Sequence, residues 1–153
     1  MTESTPSTPR IPRFAKAAMA FQAFLLRRNW MGPMGDEIMV ITTTGRKSGR
    51  SYTTPIGYLR DGASVIALNP GGGSNWYKNA LKNKQVRLEI KGETYQAQAV
   101  PLDDPEERKK IFERYRQERA KRFKPLFGVE ADASQEELEQ AFASRRFIRF
   151  YLV

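Results

Sequence analysis

The stretch ITTTGRKSGRSYTTPI, residues Ile41 to Ile56, sets a β-branched run, a tight basic turn and a second threonine-rich run back to back. Val40 to Thr44 favours an extended chain, because branched side chains suit a pleated, half-buried surface. Gly45 should end that strand. From Gly45 to Gly49 the chain offers two glycines for positive φ, the adjacent cations Arg46 and Lys47, and the hydroxyl of Ser48. Such a set can wrap a phosphate or carboxylate with backbone and side-chain donors. It can equally form the basic tip of a hairpin. Tyr52 to Tyr58 resumes as a strand, with Pro55 marking an edge or a bulge.

Outward from this turn the pattern stays that of short strands. A first strand spans Glu37 to Thr44, a second Ser51 to Arg60, and Asp61-Gly62 turns into a third at Ala63 to Asn69. Pro70 to Ser74 holds three successive glycines, and a short helix through Trp76, Tyr77, Ala80 and Leu81 starts near a Ser74 or Asn75 cap. A helix start after a glycine-rich turn presents free amides to an anion, although the spacing here is neither that of a Walker nor of a Rossmann loop. Val86, Leu88 and Ile90 alternate with Arg87, Glu89 and Lys91, and the alternation resumes after Lys91-Gly92, which reads as an antiparallel hairpin. Asp104 with Glu107 forms a capping box opening a helix to about Arg122, with Ile111, Phe112 and Tyr115 as its core stripe. Pro125 to Val129 reads as a loop, Ser134 with Glu137 caps a helix to about Ser144, and Phe147 to Val153 closes as a strand. The fold class is therefore α+β: a small antiparallel barrel of about six strands, with helices inserted before the last one.

Ahead of the barrel, residues 1–12 are rich in Ser, Thr and Pro and read as a disordered tail. Phe14, Ala17, Ala18, Phe21 and Leu25 recur at helical spacing, giving an N-terminal amphipathic helix over 13–31. Its face suits packing across the open end of the barrel, or docking of residues 13–28 on an anionic membrane surface. Residues 13–153 then form a single domain, in keeping with a length of 153 residues.

Composition narrows the chemistry. The chain has neither histidine nor cysteine. Triads built on histidine, thiol nucleophiles and His or Cys metal sites are excluded, so either a bound cofactor carries the hard step or Tyr, Lys and carboxylates do. No metal ligand set and no catalytic side chain stands out. The formal charge of +9 predicts an anionic partner. Nucleic acid is the weaker choice, because the basic segments lack interleaved exposed aromatics. No apolar run nears the roughly 18 residues of a membrane span, and a cytoplasmic protein is the default expectation.

Taken together, TTTGRKSGR at Thr42 to Arg50, TTPIGYLRDG at Thr53 to Gly62, VIALNPGGGSNWYKNALKN at Val65 to Asn83 and the DDPEER helix start at Asp103 resemble the deazaflavin-dependent nitroreductases and quinone reductases, a branch of the split β-barrel flavin-binding superfamily. The resemblance runs from about Ile38 to the C-terminus. It implies use of coenzyme F-420, a two-electron hydride carrier with a phosphate and an oligoglutamate tail, to reduce an electron-poor small molecule such as a quinone, an enone or a nitroaromatic. Its anionic arm would lie along Arg46, Lys47, Ser48 and Arg50. Thr54, Pro55 and Ile56 would border the ring, Ala67, Leu68, Asn69, Gly71 and Gly72 would line its other side, and Trp76 and Asn79 would close the phosphate end. Two departures stand out: Pro70 replaces a coenzyme-reaching Lys of several relatives, and Gly57 replaces a ring-facing Tyr of some. The alternatives are an FMN-binding split-barrel reductase and a non-enzymatic lipid-binding domain. Monomer and homodimer both fit the resemblance.

Overall fold

The structure, a computed structural model, describes residues 36–69 and 74–153. The expected tail, the N-terminal helix and the glycine turn with Pro70, Gly71 and Gly72 lie outside the described residues.

Seven strands form one antiparallel sheet: β1 (Ile38–Thr44), β2 (Ser51–Gly57), β3 (Leu59–Asp61), β4 (Ser64–Asn69), β5 (Gln85–Ile90), β6 (Glu93–Pro101) and β7 (Arg146–Leu152). Their order is β2-β1-β5-β6-β7-β4-β3. The strand expected over Ser51 to Arg60 is thus two strands. As far as Gly57 it pairs with β1; from Leu59 it pairs with β4. At the break, the Tyr58 amide donates to the Glu37 carbonyl at 2.9 Å. The two edge strands of the sheet are therefore one residue apart in the chain, so the sheet has to curl until its edges nearly meet. That is how the antiparallel sheet becomes a split barrel. Pro55 sits on β2, whose outer edge has no partner strand among the described residues, where a missing N–H costs no ladder bond.

The turns follow the sequence. Gly62 (φ 61°) lies in the β3–β4 turn, and Lys91 (φ 50°) with Gly92 (φ 82°) makes the β5–β6 turn, both conformations that tight hairpins require.

Side chains alternate between two cores. Met39, Ile41, Val65, Ala67, Leu88, Ala99 and Phe150 face the barrel interior, where α1 (Asn75–Lys82) adds Trp76 and Ala80. Ile66, Leu68 and Phe147 face outward, against α2 (Pro105–Glu118), α3 (Phe123–Phe127) and α4 (Gln135–Ser144). The caps of α2 and α4 form as their sequences predict, with Glu107 N donating to Asp104 Oδ2 at 3.1 Å and Glu137 N donating to Ser134 Oγ at 3.2 Å. The helix expected to reach Arg122 instead ends at Glu118 and continues as a short 3-10 turn, Ala120–Arg122.

The loop expected over Pro125 to Val129 also contains helix. Phe123 and Phe127 are four residues apart and stack at 4.5 Å between ring centroids, both buried; one helical turn is what puts both rings in the core. Pro125 is tolerated because it falls in the first turn, where an N–H has no helical acceptor. Gly128 ends the turn in the left-handed conformation, φ 79°.

Candidate functional site

The β1–β2 turn closes on itself through two backbone bonds, Gly45 N to Arg50 O at 2.6 Å and Gly49 N to Gly45 O at 2.9 Å. Gly49 holds φ 71°. A Cβ on Gly45 would stand 2.6 Å from both Ser48 Oγ and Tyr52 Cε2, so only glycine fits there unless the turn shifts. Ser48 Oγ lies 3.1 Å from the Tyr52 hydroxyl and accepts from Arg50 N at 3.3 Å. Ser48 therefore braces the turn from within.

Helix α1 holds the turn from outside. Asn79 Oδ1 accepts from both Arg46 N (3.2 Å) and Arg46 Nη1 (2.8 Å), while its Nδ2 donates to Thr43 Oγ1 at 3.3 Å. Arg46 Nη2 donates to Asn75 Oδ1 at 3.4 Å, and Asn83 Nδ2 donates to the Thr44 carbonyl at 3.3 Å. Asn75, Asn79 and Asn83 fall at intervals of four, one face of a helix, and that face is bound to the turn. Neither Asn75, Asn83 nor Thr43 is anticipated by the motif reading. The signal was available as an asparagine at every fourth position of NWYKNALKN.

The charge of this region is of one sign. Between Ile38 and Leu88 the chain carries eight cations and one acid, Asp61. Asp61 is engaged elsewhere, 2.6 Å from Arg149 Nη1 and 3.7 Å from Arg114 Nη1. Lys47 and Arg50 have no acidic partner among the described residues, and Arg46 is held by neutral amides alone. The start of α1 adds to the same sign. No acid lies in its first turn and no side chain caps it, since Ser74 Oγ donates instead to Asn69 Oδ1 at 3.0 Å.

Between β2 and β4 the barrel has its seam. Thr54 and Ile56 lie opposite Ile41 and Met39 and so face inward, half-buried; Ala67, in the same interior, and Asn69, two residues on along β4, share one face of that strand. Pro55 and Leu68 point to the opposite faces of their strands, so their side chains look away from the seam. Of the two residues expected to close the phosphate end, Trp76 is 8% exposed and packs into the barrel core, its ring edge-on to Tyr77 at 5.8 Å, and Asn79 is committed to Arg46 and Thr43. Burial raises the pKa of Tyr58 and of Tyr77, which keeps both phenols protonated across the neutral range.

A surface groove of about 610 Å³ opens at the other end of β1, beside Glu37, Arg119, Arg122 and Pro125. Two of its cations share one carboxylate: Glu37 pairs with Arg119 at 3.4 Å and with Arg122 at 2.9 Å.

A family model described as F-420H(2)-dependent quinone reductase matches residues 15–125. Among solved structures, the chain is similar to a FAD-binding protein from Mesorhizobium loti (TM-score 0.55, 13% identity, covering 88% of this chain and 89% of that one). It is similar to a protein described as a domain-swapped dimer (TM-score 0.56, 16% identity, 91% and 99%) and to an F-420-H2 dependent reductase (TM-score 0.50, 17% identity, 76% and 94%). These likenesses bear out the antiparallel split barrel. Among the described residues no helix is long and apolar enough to cross a membrane.

Proposed function

The chain belongs to the F-420H(2)-dependent quinone reductase family, an oxidoreductase family whose cofactor is coenzyme F-420, and on that premise we propose that it reduces a quinone or a similarly electron-poor enone or nitroaromatic. The observation that carries the site assignment is the charge of the β1–β2 turn, whose cations stand without acidic partners among the described residues, whereas Arg119 and Arg122 of the groove share Glu37. The donor set fits an anionic arm. Lys47 and Arg50 are free among the described residues to meet phosphate or carboxylate oxygens, and each shielded contact of this kind contributes about 1.5–3 kcal/mol.

When bound and reduced, coenzyme F-420 supplies a hydride. The protein's part is to hold, orient and exclude water. Arg46, Lys47 and Arg50 take the anionic arm, and the bonds from α1 fix Arg46 before binding. Ser48 acts by bracing the turn. Thr54 and Ile56 on one side of the seam and Ala67 and Asn69 on the other border the ring, while the backbone of Pro55 and Leu68 completes the lining. Trp76 closes the floor from the core side. With no histidine in the chain, the proton that accompanies the hydride to a quinone comes from solvent or from a tyrosine.

The resemblance to a protein described as a domain-swapped dimer supports a homodimer for this chain. Anaerobic mixing with reduced coenzyme F-420 and a soluble quinone tests the activity. Oxidation of one coenzyme per quinone reduced is the expected result; turnover with reduced FMN and none with the deazaflavin would overturn the reading.

A further inference from the structure

We infer that Asn79 is a positioning and specificity-determining residue for anion binding, acting through Arg46 because its side chain is neutral. The inference rests on the assignment of the β1–β2 turn to the coenzyme's anionic arm. Asn79 is 3% exposed on a helix that packs against β1. Its single carboxamide spans three groups: Oδ1 takes both the backbone N–H and the guanidinium of Arg46, and Nδ2 reaches Thr43 Oγ1. Arg46 is thereby fixed at its backbone and at its tip, with its other terminal nitrogen toward Asn75.

A buried position beside a guanidinium would ordinarily favour a carboxylate, which gives shorter and stronger hydrogen bonds. Here each acceptor of the Arg46 side chain among the described residues is an amide oxygen, of Asn79 and of Asn75. An amide fixes the geometry and leaves the positive charge whole. The guanidinium has five N–H donors, and the neutral acceptors use two of its nitrogens without cancelling its field. Asn83 straps the end of the same strand, so the turn does not depend on Asn79 alone for its attachment to α1.

Asn79→Asp separates charge from geometry. Aspartate has the same shape, keeps both bonds to Arg46, and can accept from the Thr43 hydroxyl once that proton rotates. It adds an ion pair where Asn79 has none. The expected result is a melting temperature equal to or above that of the parent chain, together with at least a tenfold rise in the dissociation constant for oxidised coenzyme F-420, read by tryptophan fluorescence. Asn79→Ala should weaken binding and lower the melting temperature together. Binding and stability moving in opposite directions in Asn79→Asp is a signature that a purely structural asparagine would not give.

A double-mutant cycle with Arg46→Ala decides whether the effect passes through Arg46. On the inference, Asn79→Asp costs little further affinity once Arg46→Ala is in place. An undiminished cost in that background would mean that residue 79 meets the anion itself and would overturn the inference. So would an Asn79→Asp chain that binds as the parent does, or one that melts as low as Asn79→Ala. Failure of the parent chain to bind coenzyme F-420 would refute the functional assignment instead.

Discussion

Two parts of the molecule are rich in arginine and lysine and treat them in opposite ways. In the α2–α4 layer and the strand ends it touches, the arginines that the fold positions are set against acids: Arg114 with Glu118 at 2.7 Å, Arg116 with Glu113 at 2.9 Å, Arg119 and Arg122 with Glu37, and Arg149 with Asp61. Arg108 caps the end of α4 instead, donating to the carbonyls of Phe142 and Arg145. Hydrogen bonding from Arg114 holds Glu118 below its ordinary pKa, as a carboxylate used for structure should be. In the β1–β2 turn and the α1 face above it, the anchoring groups are asparagine amides, a serine and a tyrosine hydroxyl. The difference teaches that density of charge does not mark a binding site. What marks it is charge that the fold positions without neutralising.

The comparison breaks most visibly if the two regions exchange behaviour under charge reversal. Lys47→Glu with Arg50→Glu should raise the dissociation constant for coenzyme F-420 by about 10²-fold or more, from the loss of two contacts of about 1.5–3 kcal/mol each, with the melting temperature nearly unchanged. Lys109→Glu with Lys110→Glu on α2 carries the same charge change and should leave the affinity within about twofold, since a distant exposed charge is screened beyond roughly 10 Å. Equal losses in the two pairs would reduce the account to net charge.

Gly45→Ala should follow, lowering the unfolding free energy by about 1–3 kcal/mol, because the new methyl forces Ser48 or Tyr52 aside in a packed turn. Denaturant titration measures it, and a neutral outcome would mean that the turn adapts and is not preorganised.

The smallest effect belongs to the helical core. The Tyr115 hydroxyl is buried without a hydrogen-bond partner, and burial pushes its pKa well above the ordinary 10.0. Tyr115→Phe should stabilise the chain by about 1 kcal/mol, the order of the cost of an unsatisfied buried polar group. The sign with pH follows from linkage. Below the unfolded-state pKa both states keep the proton; above it only the unfolded chain releases it, so stability falls as pH rises past about 10. Tyr115→Phe should reduce that alkaline loss without changing coenzyme affinity.

Much of the architecture was legible because its signals are local. Asp61-Gly62, Lys91-Gly92 and the caps at Asp104 and Ser134 each act within four residues, and each forms as its sequence predicts. The division of one strand into β2 and β3 was not legible, since it depends on the chain leaving β1 after Gly57 and joining β4 from Leu59, a choice made by the curl of the whole sheet. The helix at Phe123–Phe127 was missed for a similar reason: tertiary packing of two phenylalanines outweighed the local message of Pro125. At the site, the cations of GRKSGR were legible as a group, but their division of labour was not. Arg46 looks from sequence like Lys47 and Arg50; only the position of Asn79, thirty-three residues away, separates the fixed cation from the free ones.

The central claim is that the β1–β2 turn receives the anionic arm of the coenzyme. A crystal structure with coenzyme F-420 bound tests it most directly. The account predicts phosphate or glutamate oxygens within hydrogen-bonding distance of Lys47 Nζ or the Arg50 guanidinium, with Arg46 still held by Asn79. An anionic arm lying in the groove beside Arg119 and Arg122, with Lys47 and Arg50 in solvent, would contradict it.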